Sequence, residues 1–224
     1  VGIAYRWKNK GFKEVIDYGC GLGRHSLFLS QMGFHVKGFD LSPEAVEETK
    51  KSMKEAGQVG EFKLGDIKKA PFGDECADAI VSFHVISHTD SKGILEVVNE
   101  LHRLLVPGGE FFVDLCAKGE GFATDPRRRI DENTLVSDEP GPEQGIPHFY
   151  ASKEQMEDLF RDFEILNLEQ VRAYVLDGKI SSRDHFYLLG RKKEPQKNRL
   201  HLVDEGDSFC VICLLQELWS NRRV

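Results

Sequence analysis

Residues 13–42, KEVIDYGCGLGRHSLFLSQMGFHVKGFDLS, decide the fold. The apolar pair at residues 15–16 predicts a short strand that is buried on both faces of a parallel sheet. Apolar residues at helical spacing then predict a helix that ends near Gly33. Residues 34–39 predict a second strand, and Asp40 stands at its C-terminal end. This order of elements is that of a βαβ unit.

The turn between the first strand and the helix is rich in glycine. Gly19, Gly21 and Gly23 allow the backbone to turn sharply and to approach a ligand closely, because no Cβ is in the way. Backbone N–H groups at a helix N-terminus attract an anionic group, and an acid after the second strand accepts hydrogen bonds from ribose hydroxyls. Asp40 follows Gly19 by 21 residues, which fits this geometry. The unit therefore predicts a site for a nucleoside-containing cofactor.

The glycine spacing distinguishes one such cofactor from another. A dinucleotide fingerprint G-x-G-x-x-G beginning at Gly19 needs glycine at position 24, which is Arg24. The chain instead has G-x-G-x-G directly after Asp17 and the strand end. Together with Asp40, this pattern resembles motif I of the class I S-adenosylmethionine-dependent methyltransferases of the small-molecule type. An ordinary structural turn between strand and helix is the alternative.

The resemblance extends over residues 13–193 and implies a fold. It includes PFGDECADAIVSFHVISHTD at 71–90 and LHRLLVPGGEFFVD at 101–114. It implies an α/β, Rossmann-like, mostly parallel sheet of seven strands in the order 3-2-1-4-5-7-6, with the last strand antiparallel and helices on both faces. The methyltransferase domain would occupy residues 1–193, with a helix before the first strand that covers the cofactor. A long loop at about 117–151 is expected to act as a substrate lid.

The resemblance implies that S-adenosylmethionine binds at the carboxyl ends of the strands, where open α/β sheets take ligands. Asp40 would hold the ribose hydroxyls, Asp66 would meet the adenine amino group, and the glycines would pass close to the methionine part. A plain turn aspartate is the alternative for Asp66. The implied cofactor-binding residues are Asp17, Gly19, Cys20, Gly21, Gly23, Arg24, Asp40, Leu41, Asp66, Ile67, Phe83 and His84.

Three residues are candidates for chemistry on the methyl acceptor. His88 follows the fourth strand, and a histidine can accept a proton at physiological pH. His148 and Tyr150 end the expected lid, where they could face the transferred methyl group. Methyl transfer from a sulfonium is an in-line displacement, so a base is needed only if the acceptor carries its proton. A structural histidine and aromatic residues that fasten the lid are the alternatives.

The sequence argues against three classes of acceptor chemistry. Residues 82–85 read SFHV in place of the N/D-P-P-Y/F motif of adenine-N6 and glutamine methyltransferases, and Cys116 does not follow a proline as in cytosine-C5 enzymes. Only Asp90 and Asp114 lie near the place where catechol methyltransferases bind metal, with no convincing third ligand. We therefore expect metal-independent transfer to an O, N, S or C nucleophile of a small molecule. A catalytically silent S-adenosylmethionine-binding protein and a nicotinamide-dependent oxidoreductase are the alternatives.

Composition limits the surroundings of the protein. Its 224 residues fit one α/β domain with a little extra, and a net charge of −7 argues against a nucleic-acid partner. Five scattered cysteines indicate reduced thiols and a cytoplasmic protein. No apolar run approaches the roughly 20 residues of a membrane span, and no signal peptide is visible. The chain begins with Val1 rather than methionine, which is consistent with a missing N-terminal segment.

Residues 194–224 lie beyond the resemblance and predict a tail that docks on the domain or binds a partner. Its apolar segment at 207–219, DSFCVICLLQELW, needs a burial partner, and a homodimer formed through the tail is one option. Cys210 and Cys213 form a C-x-x-C, but zinc needs four ligands and no second pair exists. Both cysteines are therefore interpreted as small apolar residues.

Overall fold

The computed structural model describes residues 1–172 and 184–195, and Val1–Glu194 form one compact unit. The described helices are α1 (Gly2–Asn9), α2 (Arg24–Gln31), α3 (Pro43–Glu55), α4 (Gly93–Leu104) and α5 (Lys153–Leu159). The described strands are β1 (Glu14–Tyr18), β2 (His35–Asp40), β3 (Gly60–Leu64), β4 (Ala77–Ser82), β5 (Leu105–Ala117), β6 (Arg128–Asp131), β7 (Thr134–Val136), β8 (Pro147–Ala151), β9 (Phe163–Val171) and β10 (His185–Lys192).

Seven of these strands form the predicted sheet. β3, β2, β1, β4 and β5 are neighbours in that order and run parallel. β10 pairs antiparallel with β5, and β9 pairs antiparallel with β10. Because β9 and β10 are the sixth and seventh strands of this sheet along the chain, the order is 3-2-1-4-5-7-6 with the last strand antiparallel. The predicted fold class is confirmed.

Helices cover both faces of the sheet and bury its apolar side chains. On one face α4 and α5 pack through residues such as Leu101 and Met156, and on the other α1, α2 and α3 pack through residues such as Trp7, Leu29 and Met53.

The helix starts follow the local sequence. The Ser42 hydroxyl accepts the Ala45 N–H at the start of α3, and Ser152 and Gln155 form a capping box at α5.

The segment between β5 and α5 differs from the long loop that the sequence predicts. It contains β6, β7 and β8, which pair as an antiparallel three-stranded sheet. The last of these strands also pairs with the end of β5, through Cys116 with Tyr150 and Ala117 with Ala151. Its strands are only three to five residues long, and β7 is buried at every position. So short a run shows no alternation of apolar and polar residues, which is why the pattern is not visible in the sequence.

The helix expected before the first strand is present. In this helix, α1, Arg6 pairs with the buried Glu110 at 2.8 Å, and Lys10 just after the helix pairs with it at 2.7 Å. Glu110 is level with Val15 at the start of β1, because both residues align with Ala79 of β4. The carboxyl-terminal part of the helix is thus fastened at the amino-terminal end of the sheet. That the start of the helix covers the cofactor stays a prediction.

Several predictions concern residues outside the described ranges. The turn expected between the last two strands lies largely within 173–183, and nearly all of the tail at 194–224 is outside as well. The three described cysteines, Cys20, Cys76 and Cys116, are unpaired. Within the described residues, no helix combines the length and the apolar character that a membrane crossing requires.

Candidate functional site

The glycine-rich turn after β1 needs its glycines for different reasons. Gly19 and Gly23 have φ angles of 79° and 80°. A Cβ on Gly19 would lie 2.4 Å from Val85 Cγ1, and one on Gly23 would lie 2.8 Å from Thr49 Cγ2. Gly21 has φ of 51°, and a Cβ there would meet nothing within 4 Å. Two glycines therefore allow close packing, while Gly21 faces open space.

The carboxylate of Asp40 is fixed against this turn. Its Oδ2 accepts the Gly21 N–H at 2.9 Å, and its Oδ1 accepts the Ser42 N–H at 3.0 Å. From α3, the Thr49 hydroxyl donates to the Gly21 carbonyl at 2.8 Å. The turn and the acid are thereby held as one unit at the carboxyl ends of β1 and β2, as the 21-residue spacing predicts.

A cavity of about 1070 Å³ opens over this unit, and we call it the glycine cavity. Nine of the residues predicted to bind the cofactor line it: Gly19, Cys20, Gly21, Arg24, Asp40, Leu41, Asp66, Ile67 and Phe83. The rest of its wall comes from the loop after β4 and from the segment between β5 and α5, which we call the insertion, through residues such as His88 and Ile146. Glycine backbone, a fixed carboxylate and apolar side chains are the surroundings that a nucleoside with a charged chain requires.

Three other predicted cofactor residues, Asp17, Gly23 and His84, do not line the glycine cavity. Asp17 is 1% exposed, and its Oδ2 accepts the Ser26 hydroxyl at 2.6 Å. Burial, together with a smaller contribution from the nearby charge of Asp40, raises the pKa of Asp17 to about 7. Asp17 thus joins β1 to α2 beneath the turn. Gly23 is the N-cap of α2, and His84 faces a second cavity.

The second cavity has a volume of about 570 Å³, and we call it the histidine cavity. Four of the chain's histidines line it, and His88 lines both cavities. The two cavities therefore meet at one side chain that is able to carry a proton. The lining residues are His84, Ser87, His88, Cys116, Arg127, Ser137, Glu143, His148, Tyr150 and His185.

His88 and His148, both predicted as catalytic, lie together in this cavity. Their ring centroids are 4.7 Å apart, and His148 Nε2 is 3.7 Å from the Glu143 carboxylate. Because a carbonyl oxygen only accepts, the His148 Nδ1 that lies 3.1 Å from the Ile146 carbonyl carries the hydrogen, and Nε2 carries the lone pair. Burial lowers the pKa of both imidazoles. Both rings are therefore neutral near pH 7 and able to accept a proton.

Tyr150, the third predicted catalytic residue, belongs to the histidine cavity and not to the glycine cavity. Its hydroxyl accepts a hydrogen bond from Arg127 Nη2 at 2.6 Å. Burial raises the pKa of Tyr150 to about 12, and it raises the pKa of the neighbouring Cys116 thiol to about 11. Both groups stay protonated near pH 7. Tyr150 is thus suited to positioning a ligand, and Cys116 is not a thiolate nucleophile.

A third group of side chains was not recognised in the sequence. The Asp114 Oδ2 lies 3.0 Å from the Nδ1 atom of His84 and 3.0 Å from the Nδ1 atom of His185. Sequence analysis found no third ligand beside Asp114 because it looked for carboxylates, whereas histidines complete the group. The available signal was His185 at the start of a strand that returns antiparallel to β5, where it pairs with Cys116.

Comparison with known proteins agrees with this architecture. A family model described as a methyltransferase domain matches residues 15–109. The ubiquinone biosynthesis O-methyltransferase of Xylella fastidiosa is 31% identical over 208 residues, which cover 90% of this chain and 73% of that protein. The malonyl-acyl-carrier-protein O-methyltransferase of Pectobacterium atrosepticum is 32% identical over 106 residues, and the aligned part is 47% of this chain and only 40% of that enzyme.

Solved structures have the same fold. A SAM-dependent methyltransferase of Methanosarcina mazei matches with a TM-score of 0.68 at 21% identity, over 81% of this chain and 93% of that chain. At this identity the likeness establishes the fold alone. The family follows from the sequence match that spans most of both chains. The chain belongs to the class I S-adenosylmethionine-dependent methyltransferases, and S-adenosylmethionine is the cofactor of its methyltransferase domain.

Proposed function

We propose that this chain transfers the methyl group of S-adenosylmethionine to a nucleophilic atom of a small molecule that binds in the histidine cavity. The observation that carries the proposal is the position of His88, which lines both cavities. A reaction between a cofactor in one cavity and an acceptor in the other has to take place where the two meet. Sequence analysis left O, N, S and C nucleophiles open. The Xylella relative, which is named as an O-methyltransferase, favours oxygen.

The glycine cavity supplies the groups that would hold the cofactor. When bound, S-adenosylmethionine provides a methyl group on a positively charged sulfur. The Asp40 carboxylate already accepts two backbone N–H groups, and its further lone pairs would accept ribose hydroxyls. Gly21 would let the chain of the ligand pass close to the backbone. Asp66 and Ile67, on the loop after β3, would contact the base.

The histidine cavity supplies a proton acceptor. A hydroxyl acceptor loses its proton as its oxygen gains a methyl group, so a neutral base at the boundary of the cavities speeds the reaction. His88 meets this requirement, because burial lowers its pKa and keeps it neutral near pH 7. His148 lies beside it as a second neutral imidazole, and Tyr150 would orient the acceptor through its hydroxyl.

The other predictions about the acceptor and its surroundings stay predictions. These are metal independence, the absence of a nucleic-acid partner, a homodimer formed through the tail, and a cytoplasmic location. Family membership removes the nicotinamide-dependent oxidoreductase from the alternatives. A protein that binds S-adenosylmethionine without transferring its methyl group is distinguished only by measuring turnover.

The first experiment is calorimetric titration with S-adenosylhomocysteine, the product form of the cofactor, with NADH as the control ligand. We expect a dissociation constant in the micromolar range or tighter for S-adenosylhomocysteine and no binding of NADH. Asp40→Ala should weaken binding at least about tenfold, because the ribose loses its acceptor and the turn loses the Gly21 hydrogen bond. Glu48→Ala is the matched control, since it removes the same charge from an exposed position on α3.

Two results would contradict the proposal. If the wild-type protein bound NADH but not S-adenosylhomocysteine, the assignment of the glycine cavity would be wrong. If Asp40→Ala bound S-adenosylhomocysteine as tightly as Glu48→Ala did, the cofactor would not lie over the turn. Binding as expected makes a screen of small hydroxylated acceptors the next step.

A further inference from the structure

We propose that His84, Asp114 and His185 form a site for one divalent transition-metal ion, zinc above all, in the wall of the histidine cavity. This site goes beyond the proposed methyl transfer, and it would replace the metal independence that the sequence predicts. Its role in catalysis rests on the proposed function, but the binding of the ion does not. Two imidazoles and one carboxylate are a ligand set that zinc uses in catalytic sites, with a further position left open.

The three side chains are close enough to share one metal ion. Atoms bound tetrahedrally at about 2.0–2.2 Å from a common zinc ion lie about 3.3–3.6 Å from each other. The Asp114 Oδ2 is 3.0 Å from the Nδ1 atoms of both histidines. One ligand atom from each of the three residues lies within 4.8 Å of the others. The side chain of His84 is 62% exposed, so a small rotation of this ring could bring all three atoms to one ion.

Hydrogen bonding does not account for these contacts. Among the described residues, neither the Asp114 Oδ2 nor the His185 Nδ1 has a hydrogen-bond partner, although the two atoms are buried and 3.0 Å apart. The atoms are close, but the direction that a hydrogen bond needs is missing. In an ion pair with a protonated histidine, an N–H would point at the carboxylate. A carboxylate oxygen that lies between two imidazole nitrogens without a hydrogen bond to either is an arrangement typical of ligands around a cation.

The carboxylate also needs a positive partner. Asp114 is 1% exposed, and a buried carboxylate without a compensating cation is strongly destabilising. Within the described part of the chain, the ion-pair partners of Asp114 are only the two histidines. A divalent cation between the three groups would supply the missing charge while leaving both imidazoles neutral.

The surrounding backbone holds the group in place. The other Asp114 oxygen, Oδ1, accepts the backbone N–H of His84 at 2.6 Å, which fixes the carboxylate and the left-handed conformation of His84 at φ 56°. Hydrogen bonds of this kind orient metal ligands in proteins. His185 comes from β10, whose pairing with β5 puts it opposite Cys116, two residues from Asp114 on the same face.

An ion at this position would take part in the reaction that we propose. A hydroxyl of the acceptor could occupy the open coordination position, and the ion would lower the pKa of that hydroxyl as a Lewis acid. The proton of the hydroxyl would pass to His88, which becomes an imidazolium, and the oxygen would take the methyl group from the sulfonium, whose C–S bond breaks to leave S-adenosylhomocysteine. The metal and the base would thus lie on two sides of one acceptor.

The test is titration of the metal-free full-length chain with Zn²⁺ alone, by calorimetry and by competition with a chromophoric chelator. Visible absorption of bound Co²⁺ reports the geometry of the site. Because Cys210 and Cys213 are also possible zinc ligands, every measurement is repeated with both replaced by serine. His84→Asn and Asp114→Asn are the principal variants. Asparagine is tolerated at the left-handed position, and it keeps the Oδ1 acceptor at position 114.

We expect one Zn²⁺ per chain in the serine background, with affinity reduced at least about tenfold by either variant. His35→Ala is the matched control, because His35 also lies beside a carboxylate, 2.7 Å from Glu14, but is exposed and far from the cavity along β2. It should leave the affinity unchanged. Thermal unfolding followed by circular dichroism shows whether each variant is folded, and the exposed side chain of His84 makes that variant the least disruptive.

The results separate the two proposals. If zinc does not bind in the serine background, or binds equally well to folded His84→Asn and Asp114→Asn, the metal site is wrong, and S-adenosylhomocysteine binding is unaffected by that result. If zinc binds as expected while S-adenosylhomocysteine does not bind, the metal site stands and the proposed function fails.

Discussion

The buried carboxyl of Asp17 makes the stability of the protein depend on pH in a direction opposite to that of most carboxylates. Burial beneath the glycine-rich turn raises its pKa from 3.8 to about 7, because the charged form loses its hydration. An acid whose pKa is raised in the folded state holds its proton there at a pH where the unfolded chain has released it. The folded state is therefore favoured at low pH, and this contribution is lost as pH rises through about 7.

The size of the effect follows from the shift. A change of roughly three pKa units corresponds to about 4 kcal/mol, at about 1.4 kcal/mol for each unit. The contribution of Asp17 to the free energy of unfolding is full below about pH 4, still roughly 3 kcal/mol at pH 5, and close to zero by about pH 8. At neutral pH the Asp17 carboxyl thus adds little to stability.

The assay compares urea unfolding of the wild-type protein and Asp17→Asn, followed by circular dichroism at several pH values between 5 and 8. Asparagine does not titrate, so the difference between the two free energies isolates Asp17, and all other groups cancel. The free energy of unfolding of the wild-type protein minus that of the variant should fall by roughly 3 kcal/mol from pH 5 to pH 8. Asp158→Asn, at a side chain that is 75% exposed, should show a difference that does not change with pH. A difference for Asp17→Asn that stayed constant within about 0.5 kcal/mol would refute the burial argument.

Two further predictions concern the turn and the proposed base. Gly19→Ala should lower the free energy of unfolding by at least about 2 kcal/mol, because the added Cβ would meet the stiff Val85 side chain. Gly21→Ala should lower it by only about 1 kcal/mol, because the added Cβ meets nothing and only the positive φ of this position is unfavourable. Equal losses in urea unfolding would show that the contact with Val85 is not what requires glycine at position 19. Once an acceptor is found, His88→Ala should reduce single-turnover methyl transfer about 100-fold or more while the affinity for S-adenosylhomocysteine changes by no more than a few-fold. An unchanged rate would remove His88 from the mechanism.

The half of the fold that binds the cofactor could be predicted from the sequence, because its signals are local. The glycine spacing, the acid after β2 and the capping residue Ser42 each act within a few residues of their position in the chain. The sheet order followed once those signals had identified the family. The position of Asp17 could not be read in the same way, since a carboxylate at a strand end can turn toward a ligand or toward the adjoining helix. Here the Asp17 carboxylate is turned toward α2, where it accepts a hydrogen bond from the Ser26 hydroxyl.

The histidine cavity depends on contacts between residues that are far apart in the sequence. Asp114 and His185 are 71 residues apart, and only the register between β5 and β10 brings them together. That register is not visible in the sequence, because the insertion, α5 and β9 separate the two strands along the chain. In the same way, His148 and His88 meet because the Phe149 N–H donates to the Ser87 carbonyl, which joins β8 to the loop after β4. A pattern-based reading finds each histidine but not its neighbours.

The way in which β8 returns to β5 has a consequence for how such a protein can change. Ala117 pairs with Ala151, and the Lys118 N–H donates to the Ala151 carbonyl, so the insertion leaves the sheet and re-enters it at adjacent positions. A segment whose two ends are already together can be lengthened at low entropic cost, about 0.6 kcal/mol for each doubling of its length. The insertion, which provides Glu143, His148 and Tyr150, can therefore be exchanged without moving the ends of β5 and β8. If the acceptor binds in the histidine cavity as proposed, a different insertion between these two alanines would change the acceptor while leaving Asp40 and the glycine-rich turn in place.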